Sequence, residues 1–244
     1  MAGLAKGLAI LEAFPANEGR MTVADAARAS GATRASARRC LLTMAELGYL
    51  EYDGKFFRPQ PRILSLGKAY STSRSLPQVA QPILSSARDE LEESVSLAIM
   101  DGDSALFIAR ADAARLISSG ISIGARAPAY CSATGKVLLG GWNDERVLAY
   151  LTRTKLVART AHTLVDKAKI LSEIRSARAN GYAISDEELE LGLRSIAVCV
   201  LNSHGDLSAA ISASASSARI SREQMITSFL PILKRNAERL GRAL

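Results

Sequence analysis

The chain has 244 residues, 48% hydrophobic and 23% charged, which is enough to bury the core of one large domain or of two smaller ones. No apolar run reaches the length of a bilayer span, and "MAGLAKGLAILEAF" carries Lys6 and Glu12 within its apolar stretch, so it reads as an amphipathic helix and not as a signal peptide. The net charge of +7 is uneven: residues 1–75 hold 11 Lys and Arg against 6 Asp and Glu, while the remainder holds 20 against 18, a skew that points the first third of the chain toward a polyanion.

Helical apolar spacing through Leu4, Leu8, Leu11 and Phe14 predicts a first helix ended by Pro15, with "PANEGRM" as a loop. Thr22, with Asp25 three residues on, forms a capping-box pair at the head of "VADAARAS", and Gly31 is a natural left-handed stop. Thr33 then caps a third helix running to about Leu47 and closed by Gly48. "YLEYDGKFFRP" predicts two short strands around Asp53-Gly54. Two capped helices joined by a tight Gly turn and followed by a hairpin are the order of a winged helix-turn-helix.

"PRILSLGKAYSTS" reads as a connecting helix with a Ser-rich end. "LPQVAQPILSSARDELEES" predicts a helix entered at Pro77 and bent near Pro82, and "VSLAIMDGDSALFIAR" a second Asp-Gly hairpin with near-continuous apolar strands buried on both faces. A strand is expected at 115–123, a rigid loop at Pro128, and helices near 132–141, 143–152 and 166–180. Strands follow at 182–185, 194–201 and 207–215, then a helix from about Ser221. The expected architecture is a sheet with helices packed on it, and the fold class α+β.

The stretch "TRASARRC" puts three arginines in eight residues with no acid among them. On a helical wheel Ala37, Cys40, Leu41, Met44 and Leu47 share one face, with Ala35, Arg38 and Arg39 opposite and Arg34 and Ser36 at the edges. Small Ala and Ser let a backbone sink into a groove, and Arg donates bidentately to guanine edges or clamps phosphate. Thr33 at the helix start can meet a phosphate, Thr22 at the preceding helix start is counted with it, and Lys55 at the hairpin tip can touch the flanking backbone. Solvated surface arginines are the bland alternative; the capped helix before and the hairpin after favour double-stranded DNA.

Chemistry in the larger part is sparser. "CSATGK" offers Ser132, Ala133, Thr134 and Gly135 at a helix start, able to hold a carboxylate, although from these residues alone Ser132 as a simple cap is the better reading; Lys136 is expected to face solvent. "SDEELELGLRS" sets four acids within six residues, read as a solvated loop with Arg194 neutralising one. "SAAISASAS" puts Ser208, Ser212, Ser214 and Ser216 on one strand face, lining a polar pocket or an exposed edge. With His162 and His204 the only histidines, and Cys40, Cys131 and Cys199 free of CxxC pairing, nothing calls for a triad, a metal or a cofactor, and reduced thiols suit the cytoplasm. Cys131 is a conceivable nucleophile without a base to activate it.

"LAKGLAILEAF", "TRASARRCLLTMAELGYL", "LPQVAQPIL", "APAYCSATGKVLL" and "DEELELGLRSIAV", in this order and spacing, resemble the IclR family of bacterial transcriptional regulators over nearly the whole chain. The likeness is strongest to the PcaR/PcaU/PobR-type branch, which governs protocatechuate, β-ketoadipate and 4-hydroxybenzoate catabolism. The resemblance implies a winged helix-turn-helix (1–58), a linker helix (59–75) and a GAF-like α/β effector domain (76–244). It also implies homodimers, some paired as dimers of dimers, on palindromic operators. It places the effector, a small carboxylic acid, against Ala133, Thr134, Gly135, Ser185, Asp186, Ser195, Ser212 and Ser214. Cys199 replaces the proline usual in that branch, and Ser185 and Ser195 replace Asp and Cys of some relatives, so a sugar acid or keto acid effector stays open beside an aromatic one. An enzyme acting on a carboxylate is the rival from another class, disfavoured by the missing nucleophile motif.

Overall fold

The structure, a computed structural model, describes residues 2–14, 19–67, 76–113 and 121–244. It divides into two compact units, Met1–Ser73 and Arg74–Leu244.

The smaller unit contains α1 (Ala2–Glu12), α2 (Val23–Ser30) and α3 (Arg34–Glu46), then β1 (Leu50–Tyr52) and β2 (Phe57–Pro59) as an antiparallel hairpin. Local chemistry sets these boundaries. The Thr22 amide and hydroxyl both donate to Asp25 Oδ2, and the Asp25 amide donates back to Thr22 Oγ1. Gly31 stops α2 at φ 64°, and Thr33 Oγ1 accepts from the Ser36 amide to start α3. Ile10, Met21, Ala26, Ala37, Leu41, Met44, Leu50 and Phe57 form the core. Met21 pairs with Phe57 through two backbone hydrogen bonds, tying the entry of α2 to the hairpin.

Two expectations need correction here. The inward residue of α1 is Ile10, fully buried, whereas Leu4 is 74% exposed and Leu8 is exposed as well. Nearly every position of this helix is apolar or small, so spacing alone cannot choose its buried face. Leu47 likewise ends α3 exposed, while Leu42 packs partly into the core. The connecting segment begins as a 3₁₀ run, Pro61–Gly67; the rest of the expected linker helix lies outside the described residues.

The larger unit is built on a six-stranded antiparallel sheet of β3 (Ser94–Asp101), β4 (Ser104–Ala111), β5 (Arg126–Pro128), β6 (Tyr182–Asp186), β7 (Leu193–Leu201) and β8 (Leu207–Ser216), in the order β5-β4-β3-β8-β7-β6. Against one face lie α4 (Leu76–Leu91) and the C-terminal segment, which runs as α8 (Arg222–Gln224), a π-helical turn Met225–Phe229 and α9 (Leu230–Gly241). Pro82 sits within α4. The other face carries α5 (Ala133–Gly140), with α6 (Asp144–Arg153) and α7 (Lys167–Asn180) packed around it. Layers on both faces explain the continuous apolar strands. The segment expected as a loop at Pro128 is instead a strand: Pro128 closes the three-residue edge strand β5, where its missing N–H costs no ladder bond. Most of the expected strand at 115–123 lies outside the described residues, and 121–123 are not in a strand. Among the described residues no helix is long and apolar enough to cross a membrane.

Candidate functional sites

The first site is the outer face of α3 with the hairpin beside it. Arg34, Ala35, Arg38 and Arg39 are exposed and Ser36 half-buried, opposite buried Ala37, Leu41 and Met44. Among the described residues no acid pairs with these three arginines, so the helix presents undiluted positive charge. Two further cations flank it at the hairpin: Lys55 Nζ lies 5.1 Å and Arg20 Cζ 4.5 Å from the Phe56 ring centroid. Sequence reading misses Arg20 because nothing local connects it to a hairpin that begins 30 residues on. The tip itself is fixed by Asp53 Oδ1, which accepts from the Lys55 amide (3.0 Å) and the Phe56 amide (2.7 Å). Those amides hold the Asp53 carboxyl below its usual range. Thr22 is more structural than expected, its hydroxyl committed to Asp25.

The second site is the face of the larger sheet at the start of α5. Period-two alternation and the strand register bring serines from four strands into line: Ser94 and Ser214 are partners across β3–β8, Ser214 and Ser195 across β8–β7, and Ser195 and Ser185 across β7–β6. Ser195 Oγ and Ser214 Oγ are 2.8 Å apart, and Ser185 Oγ donates to the Cys131 carbonyl (2.9 Å), which fixes the start of α5 at this row. In the adjoining row Ser212 pairs with Ser96, and Ser96 with Arg110 of β4. Arg110 Nη1 donates to Ser96 Oγ (2.9 Å) and its Nε to Asp112 Oδ1 (2.6 Å). Arg110 was not singled out in the sequence, although an arginine at an alternate position of "FIARA" inside a doubly buried strand signals a cation on a sheet face.

Of the eight expected effector residues, Ser195, Ser212, Ser214 and Ser185 share this face, with buried Ala133 and Thr134 in the first turn of α5. Gly135 faces elsewhere. A Cβ there would come 2.2 Å from Ala129 Cα and 2.3 Å from its carbonyl oxygen, and its amide is taken by Ser132 Oγ. Gly135→Ala is therefore expected to force the 129–132 loop apart and lower stability by about 1–3 kcal/mol, read from the urea midpoint of the larger unit. Asp186 stands one position from Ser185 and so on the opposite face, where Arg194 Nε meets its Oδ1 at 2.7 Å; Arg194 is held in turn by the carbonyls of Ser217 and Ile220. Alternation in β6 removes Asp186 from the serine face.

Two other readings change. Lys136, expected in solvent, is 1% exposed, with Nζ 2.5 Å from Glu188 Oε1 and 3.7 Å from Glu173 Oε2. The acidic run is thus partly internal, with Glu188 buried on Lys136 and only Glu187, Glu190 and their neighbours toward solvent. Cys131 is buried, and that burial pushes its thiol up to about 11, so at neutral pH almost none is the nucleophilic thiolate.

A family model described as the bacterial transcriptional regulator IclR C-terminal domain matches residues 68–242, and one described as the IclR helix-turn-helix domain matches residues 3–54. The Pca regulon regulatory protein of Pseudomonas putida is 41% identical over 234 residues, spanning 96% of this chain and 80% of that protein. The PobR inducer-binding domain from Acinetobacter, solved as a double mutant with 3-hydroxybenzoic acid, superposes with a TM-score of 0.66 at 30% identity over 69% of this chain and 98% of that one. An IclR homologue from Microbacterium hydrocarbonoxydans, solved with 4-hydroxybenzoate, shares the fold at a TM-score of 0.81 and 24% identity over 98% and 97% of the two chains.

Proposed function

The chain belongs to the IclR family of bacterial transcriptional regulators, and from this premise we propose that its DNA binding is controlled by a small hydroxylated aromatic acid seated on the serine face of the larger unit. IclR-type regulators act by binding DNA, not by catalysis. The observation that carries the effector reading is the line of Ser94, Ser214, Ser195 and Ser185 across four strands, buried or half-buried between a sheet and a helix start. In the structure these hydroxyls are held by protein groups: Ser195 and Ser214 meet each other, Ser185 donates to the Cys131 carbonyl and Ser94 accepts from the Ala113 amide, so a polar ligand on this face would exchange partners with the Ser195–Ser214 pair. Ala133, Thr134 and Ser212 complete the surround; the Gly135 and Lys136 amides of the same helix start are already held by Ser132. The hydroxybenzoates held by two relatives fit this chemistry, a carboxylate at one end and a hydroxyl at the other.

In this reading Arg34, Ser36, Arg38 and Arg39 enter the major groove, Lys55 and Thr33 meet phosphates, and a homodimer or a pair of dimers reads a palindromic operator. Ligand and DNA are coupled only if the acid binds one arrangement of the protein better than the other. The test is a thermal titration with 4-hydroxybenzoate, protocatechuate, β-ketoadipate, pyruvate and glyoxylate. An acid at ~100 times its Kd adds roughly 2.7 kcal/mol, a rise of about 5–10 °C for a unit of this size. A saturable rise with a hydroxybenzoate supports the proposal. A rise with only a keto acid replaces the aromatic assignment, and no rise with any acid removes the effector site from this face.

A further inference from the structure

We propose that Arg20, levelled on the Phe56 ring, enters the minor groove beside the bases met by α3 and gives the protein a preference for A·T flanks, an inference that rests on the DNA reading above. Arg20 belongs to the hairpin although it precedes β1 by 30 residues. Its neighbour Met21 exchanges two backbone hydrogen bonds with Phe57 (2.9 and 2.8 Å), so the segment entering α2 runs antiparallel beside β2. From there the Arg20 guanidinium carbon lies 4.5 Å from the Phe56 ring centroid, and Lys55 Nζ lies 5.1 Å from the same ring. The ring is held in turn by its own backbone. The Phe56 amide donates to Asp53 Oδ1, and the next residue, Phe57, is buried in the core.

Asp53, the carboxylate nearest this tip, is already engaged: Oδ1 accepts from two amides and Oδ2 pairs with Arg58 at 3.3 Å. Arg20 is exposed and forms no ion pair among the described residues. Stacking on a ring removes water from one face of a guanidinium and limits its rotamers, so less is lost when it enters a groove. An element beside a helix seated in the major groove crosses the backbone and meets the adjoining minor groove. A narrow A·T tract carries a negative potential there that draws in arginine, whereas the guanine amino group of a G·C pair occupies the groove floor. Lys55, a compact and strongly hydrated charge, stays outside on phosphate.

The experiment measures the affinity of the full chain for an operator selected from a random duplex pool and rebuilt with three flanks: A·T pairs, G·C pairs, and inosine·C pairs. Inosine·C keeps the major-groove edge of G·C but lacks its minor-groove amino group. Wild type is expected to bind the A·T and inosine·C flanks about tenfold more tightly than the G·C flank. Arg20→Ala should lose most of that difference by weakening on the first two and staying within a few-fold on the third. Arg20→Lys should keep the charge yet recover little of the preference, and Phe56→Leu should lose several-fold of it. Equal loss on all three flanks makes Arg20 a phosphate contact and overturns the inference, as does an unchanged preference in Arg20→Ala or in a folded Phe56→Leu. A wild type indifferent to the flank, or one that treats inosine·C as G·C, overturns it too, because no preference then arises in the minor groove. In each of these cases an affinity that still falls in Arg38→Ala leaves the DNA reading of α3 intact. Failure of wild type to select any operator overturns that reading and the inference with it.

Discussion

Replacing Lys136 with methionine is expected to destabilise the larger unit by about 3–5 kcal/mol, a fall in its melting temperature on the order of 10 °C. Glu188 is almost wholly buried; its Oε1 rests on Lys136 and its Oε2 has no hydrogen-bond partner among the described residues. Desolvation already raises the Glu188 carboxyl above its usual range, and the Lys136 charge is the main influence holding it down. Without Lys136 the carboxyl must either ionise unpaired or take up a proton. A group whose folded pKa is raised binds protons better folded than unfolded, so the deficit of Lys136→Met should shrink as pH falls toward 5 and be fullest at pH 8. The double variant Lys136→Met/Glu188→Leu should recover most of the loss, because well-packed apolar pairs replace buried ion pairs at little cost; Glu173, far more exposed, can be left to solvent. Urea unfolding of wild type and the two variants at pH 5 and 8 checks this. A deficit that is flat with pH, or that persists in the double variant, would mean that Lys136 acts by packing and not by neutralising Glu188.

Lys136 also shows where sequence reading stops. Its spacing inside "GKVLLGG" says only that a helix carries one lysine; the partner that draws it inward lies 52 residues away in a loop that reads as solvated acid. Boundaries set by neighbours were legible. Thr22 with Asp25, Thr33 and the Asp53-Gly54 turn each specify their element by hydrogen bonds spanning three residues or fewer, Gly31 does so by its left-handed backbone, and α2, α3 and the hairpin stand where those signals put them. Faces were legible wherever polarity alternates, as along "SAAISASAS", and illegible where it does not, as in α1, in which Ile10 and not the Leu4–Leu8 stripe is buried. The serine face was half visible for the same reason. β8 announces Ser212 and Ser214 by period two, but Ser94, Ser96 and Arg110 join them only through strand pairing, which no local pattern reports. The same alternation, carried through "ISD", separates Asp186 from Ser185.

Arg38→Ala is expected to lower affinity for the operator by about 1–3 kcal/mol per half-site while leaving binding to unrelated DNA nearly unchanged. Arg38 lies on the exposed side of α3, opposite Ala37 and Leu41, and no carboxylate among the described residues neutralises it, so its donors are free for base edges once the helix is seated. Lys55 at the hairpin tip contrasts with it. Its ammonium, near the Phe56 ring, is a mobile point charge suited to phosphate, so Lys55→Ala should weaken binding to all sequences alike and reduce the slope of log K against log salt by about 1 per contact. An operator selected from a random duplex pool supplies the specific probe, and affinities at several salt concentrations against that probe and a scrambled one separate the two roles. Equal loss on both probes would make Arg38 a phosphate clamp and leave base reading to Arg34 and Arg39. Undiminished affinity in Arg38→Ala and Lys55→Ala together would remove this face from the DNA interface, because positive charge at a true contact cannot be deleted without releasing fewer counterions on binding.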